Sequence, residues 1–100
     1  MAEKLPVTPD LLVELELIKR AKYAYLRMID QHRFDDLHEV MTDDCTAAYS
    51  DGEYSFDDLA GIIAFLHENM GRDQFFSSHA CHHPEIDIYD DGTATGIWKL

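Results

Sequence analysis

Residues 77–100 read SSHACHHPEIDIYDDGTATGIWKL, and the second half of that stretch decides the fold. EIDIY (85–89) and TATGIWKL (93–100) alternate in polarity and flank DDG (90–92), where Asp and Gly supply the backbone freedom of a tight turn, so the stretch predicts a β-hairpin. On its second strand Ala94, Gly96, Trp98 and Leu100 face one way, while Ile97 is apolar on the other. A sheet apolar on both faces must be covered twice, by helices and by something else. The run reaches Leu100 without a closing turn, and two strands alone leave an uncovered edge. Further strands are therefore expected, and residues 1–100 read as a single domain that lacks its C-terminal strands.

Working back from the hairpin, the chain turns helical. TPDLLVELELIKRAKYAYLRMID (8–30) predicts one long helix with Thr8 as N-cap, Pro9 in the first turn and Asp10 at the positive end of the dipole. Leu11, Leu15, Ile18, Tyr25 and Ile29 form its apolar stripe, which Leu12, Ala21, Ala24 and Met28 widen. RFDDLHEVM (33–41) predicts a short second helix, and CTAAYS (45–50) a strand ending at the turn signal Asp51-Gly52. Ser55 followed by Asp58 suggests a capping box that opens a third helix, which Gly71 ends. Period-two patterning begins at Phe75. Helices together with an antiparallel sheet make this an α+β arrangement.

Composition narrows the functional classes. At 46% hydrophobic and 28% charged, the chain has the make-up of one globular domain able to bury a core. Twenty acidic residues against eight basic ones give a net charge of −12. Such a surface repels phosphate backbones and anionic lipid, and no Lys/Arg cluster offsets it. Neither a nucleic-acid partner nor a membrane partner is expected. There is no apolar leader or spanning segment, and Cys45 and Cys81 lack a CxxC spacing, which reads as two reduced thiols in a cytoplasmic protein.

Three histidines, His79, His82 and His83, stand on the predicted sheet. On an ideal strand His79 and His83 share one side and His82 takes the other, so the three meet at one ion only through a bulge. No metal is expected, and His82 and His83 read as rim residues. His79, near the start of the strand, suits proton transfer near neutral pH if a carboxylate fixes its tautomer. Asp30 is the candidate partner, because it stands at a helix C-terminus where the dipole disfavours an anion. Alternatively, Asp30 only begins a turn. Tyr25 and Tyr49 are either phenol donors or core aromatics with satisfied hydroxyls. Tyr25 and Asp30 lie roughly 140° apart around a helix, so they share a pocket only if the helix ends near Asp30.

In order and spacing, YAYLRMIDQHRFDDLHEVMTDDCTAAYSDGEYSF (23–56) and HACHHPEIDIYDDGTATGIWKL (79–100) resemble the SnoaL-like family of the nuclear transport factor 2-like superfamily. The resemblance covers residues 11–100. It implies a cone-shaped, curved antiparallel sheet with helices packed on its concave side, a deep apolar pocket and no cofactor. Residue by residue, Asp30 and His79 fall on the family's Asp–His dyad. Tyr25 matches a helix tyrosine of its dehydratases, and Tyr49 matches a strand tyrosine. Where some members carry a tyrosine directly before the aspartate, this chain has Ile29. Trp98, Phe65 and Tyr54 are expected to line the substrate pocket. The implied chemistry is that of a lyase (dehydratase type) or isomerase acting on a small hydrophobic, cyclic or steroid-like substrate. The alternative is a non-catalytic small-ligand-binding or assembly domain of the same fold. A homo-oligomer, dimer or trimer, is expected through the outer face of the sheet.

Overall fold

Pro9 is the first residue of the longest helix, where its fixed φ is already helical and its missing N–H removes no intrahelical bond. From there a computed structural model describes residues 1–100 in the order α1 (Pro9–Asp30), a 3₁₀ helix (Phe34–Glu39), β1 (Ala47–Tyr49), β2 (Tyr54–Phe56), α2 (Leu59–Met70), β3 (His82–Ile88) and β4 (Ala94–Lys99). The fold is α+β, with two antiparallel ladders, β1–β2 and β3–β4. No helix is long and apolar enough to cross a membrane. The chain divides into two compact units, Met1–Tyr23 with His79–Leu100, and Ala24–Ser78.

In the first unit the predicted hairpin is present. Glu85 pairs with Ile97, Ile86 with Gly96, Asp87 with Thr95 and Ile88 with Ala94, and a bulge separates these pairs from His82–Lys99. His83 takes up the extra residue at φ 50, next to Pro84, which has no N–H for the ladder. The turn is closed by the Tyr89 amide donating to Thr93 O at 2.9 Å and the Gly92 amide donating to Tyr89 O at 3.1 Å. The N-terminal segment lies along the other edge of β3. The Leu5 amide donates to Ile88 O at 2.8 Å, the Asp90 amide donates to Glu3 O at 2.9 Å, and Lys4 pairs with Asp87 at 3.4 Å. Leu11 and Leu15 of α1 share a cleft of about 240 Å³ with Leu5, Ile86 and Ile88.

Two expectations fail in this unit. The sequence pattern puts Leu12 and Ala21 in the packed stripe, yet both are exposed. A helix turns by about 100° per residue, so Leu12 leaves the face that carries Leu11 and Leu15. The strand carrying the histidines begins at His82, so His79 precedes it. Burial does alternate residue by residue from Phe75 to Cys81, so the period-two pattern is real, but the register pairs His82 with Lys99 and gives positions before His82 no ladder partner within residues 1–100.

The second unit holds the core. Met28, Ile29, Phe34, Leu37, Leu59, Ile62, Ile63 and Leu66 form one buried cluster. β1 and β2 pair as Ala47–Phe56, Ala48–Ser55 and Tyr49–Tyr54, joined by a loop in which Ser50, Asp51 and Gly52 all have positive φ. The return strand β2 was not foreseen, and it corrects the cap of α2. Ser55 lies in β2, its Oγ donating to Gly52 O at 2.9 Å, while Asp58 caps the helix by accepting from the Gly61 amide at 2.8 Å. Both residues are good cap types, and the ladder settles which one is used.

Candidate active site

The sequence left open whether α1 ends near Asp30. It does. His32 adopts φ 56, in the left-handed region. The Arg33 amide donates to Met28 O at 2.7 Å and the His32 amide to Ile29 O at 3.1 Å, the two bonds of a Schellman closure. A non-glycine residue there stores roughly 1 kcal/mol of strain. The His32 ring is held against Phe34, with centroids 5.6 Å apart. Asp30 is therefore the last helical residue, placed at the dipole's negative end. Its carboxylate accepts a hydrogen bond from Ser77 Oγ at 2.8 Å, in a partly buried setting.

Tyr25, a little more than one turn before Asp30, packs against the core. Burial raises its pKa first, and the charge and hydrogen bond of the neighbouring Tyr49 phenol raise it further. The Tyr25 hydroxyl thus stays protonated well past the pH at which an ordinary tyrosine ionises. Tyr49 reaches it from β1, where alternation turns the side chain inward: the strand's burial runs half-buried, exposed, half-buried. Behind Tyr49 stands an aromatic wall. Phe65 of α2 stacks on Tyr49 at 5.6 Å and 17°, meets Phe56 at 4.8 Å, and meets Tyr54 at 5.5 Å. The second unit therefore brings together the phenol pair Tyr25–Tyr49 and the predicted pocket residues Phe65 and Tyr54, with Tyr54 still 45% exposed. It also fixes Asp30 through Ser77.

The other two predicted site residues belong to the first unit. His79 is half-buried in the extended segment before β3. Trp98 on β4 is half-buried, with its indole folded over Gly96, where a Cβ would overlap the ring. Lys22 of α1 places its ammonium 5.2 Å from the ring centroid, a cation–π contact worth roughly 1 kcal/mol. The indole Nε1–H is buried and makes no hydrogen bond. His82 and His83 meet edge to face at 6.2 Å, and no three His, Cys, Asp or Glu side chains converge as ligands. Both cysteines are free thiols.

Three contributors escaped sequence reasoning. By sequence Ser77 belongs only to the approach to the strand, although the alternation from Phe75 places it on the half-buried side with His79. Phe56 belongs to the unforeseen β2. Lys22 fills the one position of the stripe Leu11–Leu15–Ile18–Tyr25–Ile29 that the sequence leaves without an apolar residue, and that interruption was its signal.

A half-buried phenol held neutral, a second phenol bonded to it, an aromatic wall and an anchored carboxylate form a set able to donate hydrogen bonds to an oxygen that gains charge and to orient a base. The model of the SnoaL-like domain matches residues 11–100, and the chain belongs to that family of polyketide cyclase, isomerase and dehydratase-type proteins in the nuclear transport factor 2-like superfamily.

Proposed function

We propose that the protein is a lyase of the dehydratase type, acting on a small hydrophobic cyclic ketone that carries a β-hydroxyl. His79, oriented by Asp30, takes the proton next to the carbonyl. The electron pair moves toward the carbonyl oxygen, which accepts a hydrogen bond from the Tyr25 phenol once that hydroxyl turns from Tyr49, whose own hydroxyl then donates to Tyr25. The enolate then collapses, the C–O bond to the β-hydroxyl breaks, and the His79 imidazolium returns its proton so that water leaves. The proton taken from carbon is the one that departs in the water, and His79 carries it between the two.

The observation that carries the reading is the Tyr25 phenol, kept protonated by burial and bonded to Tyr49. A donor aimed at a developing oxyanion in a water-poor site is worth roughly 3–4 kcal/mol of barrier, and general acid–base transfer adds about 10²–10⁴-fold. An isomerase that returns the proton to another carbon would use the same groups, so the product decides between the two.

The test is turnover of a cyclic β-hydroxy ketone, followed by the ultraviolet absorbance of the enone. We expect His79→Ala and Asp30→Asn each to lower kcat/KM by about 10²-fold or more, and Tyr25→Phe by about 10²–10³-fold. A loss below about tenfold in His79→Ala, roughly 1.4 kcal/mol, removes that residue from the chemistry. Saturable binding of the ketone without turnover in the unaltered protein would instead identify a ligand-binding domain.

A further inference from the structure

On α1, the side opposite Leu11, Leu15 and Lys22 carries large apolar residues in water. Leu12 is 55% exposed, Val13 61%, Leu17 55% and Tyr23 42%. They surround Glu16 and Arg20, both exposed. Leu12, Val13, Glu16, Leu17 and Arg20 line one shallow groove. Four apolar side chains on one helix face, away from the sheet, are more than the scattered exposure of an ordinary surface.

Charge indicates what can cover this face. α1 contains four acids, Asp10, Glu14, Glu16 and Asp30, and four bases, Lys19, Arg20, Lys22 and Arg27, while the whole chain carries −12. The helix is therefore neutral, and the rest of the chain holds the entire net charge. Two copies of so acidic a protein repel each other across most approaches, and across the neutral α1 that repulsion is low. Glu16 and Arg20 are also self-complementary. In an antiparallel pairing about a two-fold axis, Glu16 of one helix faces Arg20 of the other, and the reverse holds by symmetry. The same axis sets Val13 opposite Tyr23, with Leu12 and Leu17 flanking. Glu and Arg four apart can also pair within one helix, yet neither residue appears in the chain's ion pairs.

We infer that this face of α1 is an isologous dimer interface, whose occupant is the same face of a second copy with Glu16 of each helix paired to Arg20 of the other. The sheet plays no part in this contact.

Sedimentation velocity on the full chain tests it with charge reversals. Glu16→Arg leaves only arginines at the two positions, and Arg20→Glu only glutamates, so each variant alone should dissociate at least about tenfold more readily than the unaltered dimer. Mixed in equal amounts, the two variants should dimerise again, as should the double variant carrying both changes. Folding of each variant is checked by its far-ultraviolet circular dichroism and by recovery of association in the mixture. A monomer at 100 μM (about the concentration at which weak dimers still form), or a dimer that persists unchanged in both single variants, overturns the inference.

Discussion

Between Leu26 and Leu66, in the second unit, nine side chains are buried, and Leu37, Leu59 and Ile62 are wholly out of solvent. In Met1–Tyr23 and His79–Leu100 none reaches that class, and the best covered are half-buried. Apolar burial, at about 25 cal/mol per Å², therefore holds the second unit. Ladder hydrogen bonds, the N-terminal edge pairing and the Lys22–Trp98 contact hold the first. The difference has a functional reading. The proposed donors Tyr25 and Tyr49 and the carboxylate of Asp30 rest on the densely packed part of the molecule, where side chains keep their rotamers. His79, the proposed base, belongs to the part with the fewer buried contacts, where local opening is easier.

The comparison breaks most directly under truncation of one side chain in each unit. Leu37→Ala should lower stability by about 2–5 kcal/mol, since it leaves a cavity in a fully closed site. Ile86→Ala removes a half-buried side chain from β3 and should lose only about 1–2 kcal/mol. Urea unfolding of both variants measures the two losses. Equal losses would mean that the contrast in burial does not translate into a contrast in stability. Amide exchange sharpens the same point, with α2 expected to exchange more slowly than β4.

What could be read from the sequence follows this division in an unexpected way. The hairpin of the sparsely buried unit was the clearest feature, because DDG between two alternating runs is a local signal and needs no core. α1 was equally plain from its 3.6-residue period. β2 was missed, since Tyr54–Phe56 is too short to show alternation and becomes a strand only by pairing with β1. A serine three before an acid fits the capping pattern and points to Ser55, whereas the ladder assigns Ser55 to the strand and leaves the cap to Asp58. His79 was placed on a strand because alternation survives where no ladder exists. Asp30, Tyr25 and Tyr49 stand out by residue type and by place on their elements, and the family pattern adds the roles. The phenol bond between the tyrosines and the Ser77 anchor on Asp30 are tertiary contacts, and no spacing in the sequence encodes them.

A second substitution tests how tightly the sparsely buried unit is packed where it is packed at all. Gly96 has no side chain, and the Trp98 indole lies in the space that a Cβ would fill. Gly96→Ala should therefore push the ring away, at a cost of roughly 1–3 kcal/mol for overpacking, and weaken the Lys22 contact. Trp98 is the only tryptophan, so its emission should shift to longer wavelength as the ring moves into water. An unchanged spectrum would show that the indole sits over Gly96 only loosely.

The smallest effect belongs to the hairpin turn, where nothing is buried. Asp91 Oδ1 accepts from the Thr93 hydroxyl at 2.6 Å and from the Thr93 amide at 3.0 Å, and these two bonds, the hydroxyl's first, hold the Asp91 carboxyl below the usual carboxylate range. A carboxyl whose folded pKa is depressed favours the folded state above its unfolded pKa of about 3.9. That contribution is lost as pH falls through the lower folded value. Thr93→Val keeps the β-branched shape and removes only the hydroxyl, so the Asp91 pKa should rise toward its ordinary value. The turn should then lose its acid sensitivity between those limits. Carboxyl carbon shifts of Asp91 followed by NMR across the acid range measure this directly, and an unmoved titration would mean that the amide alone holds the carboxylate. Core amides of the second unit should not respond to the change, because the turn's hydrogen bonds lie in the first unit and are exposed to water.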